Sequence, residues 1–250
     1  MQLQEITEGL PPTTFHYWND SYAKTHTATL QRAMLEDKRD VYLTLASTIF
    51  YPKSGGQPSD HGTITGKDFR VQVKKSMLVG KSIVLWGRIL EGKPAPGDVT
   101  EEIDWEWRYL LMRRHTAAHL FDHCLSTVAG FEVETTDSWL GDPCYAGYKG
   151  QAVENNILSR ASTRENELIE TGLSVRTETV PRAALERLAA KAPNLWRLPE
   201  MESYRLVTIE GCTPIPCGGT HVKNASEARG FRFERVERLP DSFRVYFDVA

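Results

Sequence analysis

Arg108-Tyr-Leu-Leu-Met-Arg-Arg-His-Thr-Ala-Ala-His-Leu-Phe-Asp-His-Cys-Leu-Ser-Thr-Val-Ala129 is the stretch on which the fold turns. It contains neither Gly nor Pro, Leu111, Ala118 and Leu125 recur at heptad spacing, and Gly130 stands where a left-handed cap ends a helix. One long helix is predicted over 108–129. Upstream of it the chain reads as short strands, at Val41–Ile49, Gly62–Thr65, Phe69–Val73, Ile83–Leu90 and Val99–Ile103. The turn-rich clusters Tyr51–Pro58 and Glu91–Asp98 separate them, and strands this short and evenly spaced predict a small barrel. Downstream, a second helix is predicted over Val153–Thr171, ended by Gly172, and a third from Pro181 to about Lys191. Strand alternation marks Leu173–Thr179, Arg205–Ile209, Phe231–Phe233 and Phe243–Val249. The expected fold is therefore α+β: an N-terminal small β-barrel over residues 1–105, then a two-layer α/β domain over 106–250 with a mainly antiparallel sheet.

The 250 residues, 40% of them hydrophobic, suffice for two cores, and the formal net charge of −3 argues against coating DNA or long RNA by charge alone. No basic start leads into an apolar run, and no window approaches the length of a membrane span. A soluble, cytoplasmic protein without membrane attachment is expected. Four cysteines are too few and too irregular for a disulfide framework, so reduced thiols are expected. The oligomeric state is not legible.

Chemistry concentrates in two pairs. His115 and His119 sit one helical turn apart on one face, as a shared metal ion requires. His123 extends the row but stands about 12 Å of helix from His115, too far to share the ion. The second pair, Cys217 and His221, spans Gly218 and Gly219, so a tight loop can turn both side chains inward, with Pro214 and Pro216 stiffening the approach. Three imidazoles and one thiolate suit a single Zn2+ ion by number and by softness. A metalloprotease would need a glutamate directly after the first histidine, where this chain has Thr116.

The segments Arg114–Leu120 and Pro216–Val222 closely resemble the editing domain of alanyl-tRNA synthetases and its free-standing relatives, the AlaX trans-editing proteins. Tyr51-Pro-Lys-Ser-Gly-Gly-Gln-Pro-Ser-Asp60, followed by Gly62, resembles the glycine motif of the barrel in the medium-length AlaX form. The resemblance covers about residues 25–250 and implies His115, His119, Cys217 and His221 as metal ligands; apart from the resemblance, Cys217 is read as a loose ligand of catalytic interest. It also implies an amino-acid pocket lined from Phe131–Ser138: Thr136 resembles the serine-sensing threonine of AlaX proteins, and Thr135 takes the place of the synthetase glutamine. Ala118, where the synthetase domain often has Thr, and Gly141-Asp-Pro-Cys-Tyr145 depart from the family pattern. Gly55 and Gly56 are implied to approach the substrate or the metal domain, and Arg108, Arg113 and Arg114 are read as candidates for phosphates of the acceptor end.

The implied activity is zinc-dependent deacylation of mischarged tRNA(Ala), carrying serine or glycine. An alanine pocket excludes serine by only about 10²-fold, so a second site must do the sorting. A hydroxyl partner there would prefer serine by about 1–3 kcal/mol. Two other readings stay open at this point: an inactive zinc-stabilised tRNA-binding module, and a zinc hydrolase of another small ester or amide.

Overall fold

The computed structural model describes residues 3–250. The chain divides into two compact units, one reaching Ser54 and resuming over Pro58–Tyr109, the other comprising Gly55–Gln57 and Leu110–Ala250.

The first unit is a closed antiparallel barrel of β1 (Thr25–Leu35), β2 (Asp40–Leu45), β3 (Gly62–Gly66), β4 (Phe69–Val79), β5 (Ser82–Gly92) and β6 (Gly97–Ile103). Its strand order is β1-β2-β5-β4-β3-β6, with β6 closing back on β1. Alternation sets the faces. In β4, Phe69, Val71 and Val73 point into the core while Arg70, Gln72 and Lys74 face water. Val99 and Ile103 do the same in β6, and between them Glu101 is an inward carboxylate. Its oxygens accept from Thr48 Oγ1 at 2.5 Å and from Ile49 N at 3.0 Å.

Burial, opposed by those bonds, pushes the Glu101 carboxyl up from 4.5 to about 7. The folded protein thus keeps a proton that the unfolded chain releases between those values, and stability falls as pH rises through that window. Glu101→Gln is expected to remove this contribution, whose slope is at most about 1.4 kcal/mol per pH unit. Urea denaturation at pH 5 and pH 7 checks it: an unchanged difference between the two pH values in the variant contradicts the assignment.

The glycine motif leaves the barrel at Tyr51 and returns at Asp60. Tyr51 N donates to Asp60 Oδ2 at 2.6 Å and Asp60 N to Tyr51 O at 3.0 Å, closing the base of the loop. Arg108, fully buried, locks it further: its Nε donates to Asp60 Oδ1 at 2.9 Å, and its Nη2 to Asp60 Oδ2 and to Ile49 O.

The long helix α1 runs Trp105–Ala129, a turn longer than its sequence signal, because Asp104 Oδ1 accepts from Trp107 N and caps the start. Gly130, at φ +79°, ends it. A four-stranded antiparallel sheet of β7 (Thr135–Trp139), β8 (Tyr145–Lys149), β12 (Phe231–Arg238) and β13 (Ser242–Val249) follows the order β12-β13-β8-β7. Ring stacking fastens α1 to it. Phe121 stacks on Phe231 at 4.8 Å, Phe231 on Phe247 at 5.0 Å, and Tyr148 on Phe243 at 5.2 Å.

Helix α2 (Asn155–Thr171) buries Leu158, Ala161, Glu165 and Ile169, and Gly172 caps it in the left-handed region. A smaller sheet joins β9 (Val175–Pro181), β10 (Ser203–Ile209) and β11 (Ile215–Pro216), with the short helix α3 (Arg182–Leu188) packed on it through Leu185. The chain is thus α+β, with a barrel followed by mainly antiparallel sheet. No helix among the described residues is long and apolar enough to cross a membrane.

Candidate metal centre

Two elements of the second unit carry the four donors. α1 supplies His115 and His119, both buried, with ring centroids 5.0 Å apart. The other two come from the loop that leaves β11. Pairing of β11 with β10 fixes its start, where Cys217 N donates to Arg205 O at 2.9 Å. Arg205 holds its turn, Nη1 donating to the carbonyls of Cys217 and Gly219 at 2.9 Å each.

The two loop glycines are not equivalent. A Cβ on Gly219 would lie 2.1 Å from His115 Cε1 and 2.9 Å from Gln57 Oε1, whereas one on Gly218 would meet open space. Neither has a positive φ, so the loop demands close approach at one position, not flexibility at both. Gly219 N also donates to Cys217 Sγ at 3.4 Å.

The donor atoms of His115, His119, Cys217 and His221 all lie within 4.8 Å of one another. Cys217 Sγ is 3.3 Å from His115 Nε2 and 3.4 Å from His221 Nε2. Bonds of about 2.0 Å to nitrogen and 2.3 Å to sulfur give a tetrahedron whose N···S edges are about 3.5 Å. The observed separations fit that figure, so the cluster could hold one metal ion.

The outward nitrogens are fixed by hydrogen bonds. His115 Nδ1 meets Gln57 Oε1 at 2.9 Å, and that oxygen also accepts from Thr220 N at 3.1 Å, while Gln57 Nε2 donates to Thr220 Oγ1 at 2.8 Å. His221 Nδ1 lies 3.2 Å from Thr116 Oγ1, which accepts from Val222 N at 3.3 Å. With its Nδ1 occupied, each ring is left to offer Nε2 inward. His119 differs: its Nδ1 is buried without a hydrogen-bond partner.

Burial, reinforced by Arg205, lowers the pKa of all three imidazoles, His119 to about 3, so each keeps a lone pair at neutral pH. Burial pushes the Cys217 thiol up. A cation is what would offset that cost in the thiolate form.

The remaining residues singled out in sequence fall in varied places. Gly56, at φ +82°, runs against β7; its carbonyl accepts from Leu140 N at 2.9 Å, and a Cβ there would strike Ser138. Gly55 O accepts from Ser138 Oγ at 3.4 Å. Thr135 is buried, its hydroxyl donating to Pro193 O at 3.3 Å and accepting from Arg197 Nη2 at 3.2 Å. Thr136 instead donates to Asp137 Oδ1 at 3.0 Å.

The three arginines are engaged inside the fold. Arg108 is on Asp60, Arg113 donates to the carbonyls of Glu227 and Ala228, and Arg114 pairs with Asp142 and Asp248 at 2.8 and 2.9 Å. All are buried, so the expectation of guanidinium groups turned toward phosphates is replaced by one of internal ties. Segment 131–134 connects rather than forms a strand, and Gly141–Cys144 is the turn of the β7–β8 hairpin. Sequence reasoning missed Gln57, Thr116, Arg205 and Thr220. Gln57 lies inside the glycine motif, Thr116 and Thr220 lie inside the two metal-ligand segments and Arg205 opens a predicted strand, but nothing in those stretches signalled their part in orienting the centre.

A cavity of about 470 Å³ opens beside the centre, with His119, Asp122, Ser126, Phe131, Pro193 and Thr213 on its walls.

The chain thus combines a closed-barrel unit with a second α+β unit whose long helix and glycine loop bring three buried histidines and a half-buried cysteine together in a metal-type centre. Residues 2–107 match a family profile described as tRNA synthetases class II (A). Over 244 residues the chain is 32% identical to alanyl-tRNA editing protein AlaX-M of Methanosarcina mazei, covering 93% of this chain and 95% of that protein. It is 31% identical to AlaX-L of Pyrococcus horikoshii over 84% of this chain and 51% of the relative, and 30% identical to an alanine–tRNA ligase of Ignicoccus hospitalis over 98% and 27%. The chain belongs to the AlaX family.

Proposed function

We propose that this protein is a zinc-dependent trans-editing hydrolase that deacylates mischarged tRNA(Ala), seryl-tRNA(Ala) first and glycyl-tRNA(Ala) second, acting on the acceptor end in the cytoplasm. The observation that carries the reading is the cluster of His115, His119, Cys217 and His221 beside a cavity, in a chain nearly coextensive with relatives named for alanyl-tRNA editing. Residues 1–105 are assigned to the glycine-motif barrel domain and 106–250 to the hydrolytic domain.

Zinc held there would supply positive charge to an acyl oxygen or to water. The chain itself holds and orients. Gln57 and Thr116 fix two of the rings, and Arg205 fixes the loop that presents the thiol. Cys124 and Cys144 are buried with thiols pushed up, which removes both as nucleophiles. Of the two threonines, Thr135 is favoured as the serine sensor, because its hydroxyl bonds to Pro193, a residue of the cavity wall, whereas the Thr136 hydroxyl bonds to Asp137.

Purified protein incubated with seryl-, glycyl- and alanyl-tRNA(Ala), with and without a zinc chelator, tests the reading. Release of serine that stops on chelation is expected. Equal hydrolysis of all three substrates, or turnover indifferent to chelation, contradicts it.

A further inference from the structure

We propose that Asp122 anchors the α-ammonium group of the aminoacyl ester, an inference that rests on the editing reading of this site. Asp122 and His119 stand three residues apart on one face of α1 and line the same cavity. In an aminoacyl ester the amine nitrogen is about 2.5 Å from the acyl carbon. A charge-assisted hydrogen bond adds about 2.8 Å. A carboxylate three helical residues from a metal-donor histidine, about 4.5 Å of rise with Cβ atoms about 5–6 Å apart, is on the scale of the distance from the reacting carbon through its amine to an acceptor.

The side chain is held for such a contact. The buried Tyr148 hydroxyl donates to Asp122 Oδ1 at 2.7 Å, which fixes the carboxylate and leaves Oδ2 for a ligand. Glu132, the other acidic residue of the cavity wall, is exposed and paired with Lys191 at 3.1 Å. Glu165, fully buried with neither carboxyl oxygen hydrogen-bonded, is pushed well up by burial and by the Asp122 charge and so stays protonated, while Arg197 is the cation that acts on Asp122 from the protein itself. Holding a tyrosine hydroxyl needs only a neutral acceptor. A carboxyl that burial pushes up to about 7 carries a desolvation cost, and an arriving ammonium would offset it.

The test uses the zinc-loaded full chain and two non-hydrolysable probes, 3′-deoxy-3′-(L-serylamino)adenosine and its N-acetyl form, with affinities measured by calorimetry. The unaltered protein is expected to prefer the free amine by about tenfold or more. Asp122→Asn keeps an acceptor for Tyr148 and is expected to bring the two affinities within about twofold, with zinc content unchanged. Tyr148→Phe, which removes the hydrogen bond and keeps the carboxylate, is expected to retain the preference. An unchanged preference in Asp122→Asn overturns the proposal, as does an equal loss in Tyr148→Phe, which would make Asp122 a structural partner of that tyrosine. If neither probe binds and no aminoacyl ester is cleaved by the unaltered protein, the editing reading itself has failed and this inference falls with it.

Discussion

Gly219→Ala is expected to strip the protein of its metal and to lower deacylation by about 100-fold, while Gly218→Ala leaves both close to the unaltered protein. The difference is steric. The new methyl at 219 would occupy space held by the His115 ring, and the ring cannot step aside, since Gln57 holds its Nδ1 and the helix backbone holds its base. The loop would have to move instead, and Arg205 pins the carbonyls on either side of Gly218. Either displacement separates Cys217 and His221 from the helix histidines. Zinc retained per chain after dialysis, read beside single-turnover deacylation, checks the pair of variants. Metal retention in Gly219→Ala equal to that in Gly218→Ala contradicts the packing described.

The second large effect is expected at Gln57. Gln57→Ala strands three buried partners at once: His115 Nδ1, the Thr220 amide and the Thr220 hydroxyl. Buried polar groups left unpaired cost about 1–3 kcal/mol each, and losing the group that orients a metal-binding histidine lowers affinity by about 10–100-fold. Gln57→Glu preserves the acceptor for both His115 and the Thr220 amide, and is expected to bind metal at least as well as the unaltered protein. Competition with a chromogenic chelator separates the outcomes. Equal affinity in Gln57→Ala and the unaltered protein would show that the tip of the glycine motif does not support the centre.

The sequence made the donors legible because each pair is local. A helix puts residues four apart on one face, and a tight loop does the same for Cys217 and His221, so both pairs could be read without knowing the fold. The partners that orient them are not local. Gln57 meets Thr220 across 163 positions of sequence, and no spacing rule reaches that far. The arginines misled for a related reason. On a helix they read as groups turned out toward phosphates, but Asp60 takes Arg108 inside, Asp142 and Asp248 take Arg114, and the carbonyls of Glu227 and Ala228 take Arg113. β1 escaped notice because its 11 residues are mostly polar, with only Ala28 and Leu30 buried, and β8 was hidden behind the turn at Gly141–Cys144. Glu165, in the apolar stripe of α2, has no sequence signature separating it from a surface carboxylate.

X-ray absorption at the zinc edge of the purified protein tests the metal assignment most directly, because it counts the donors and identifies them. One ion per chain is expected, with three nitrogen neighbours at about 2.0 Å and one sulfur at about 2.3 Å. A spectrum without a sulfur shell, or one fitted by six oxygens, would contradict a centre built from His115, His119, Cys217 and His221.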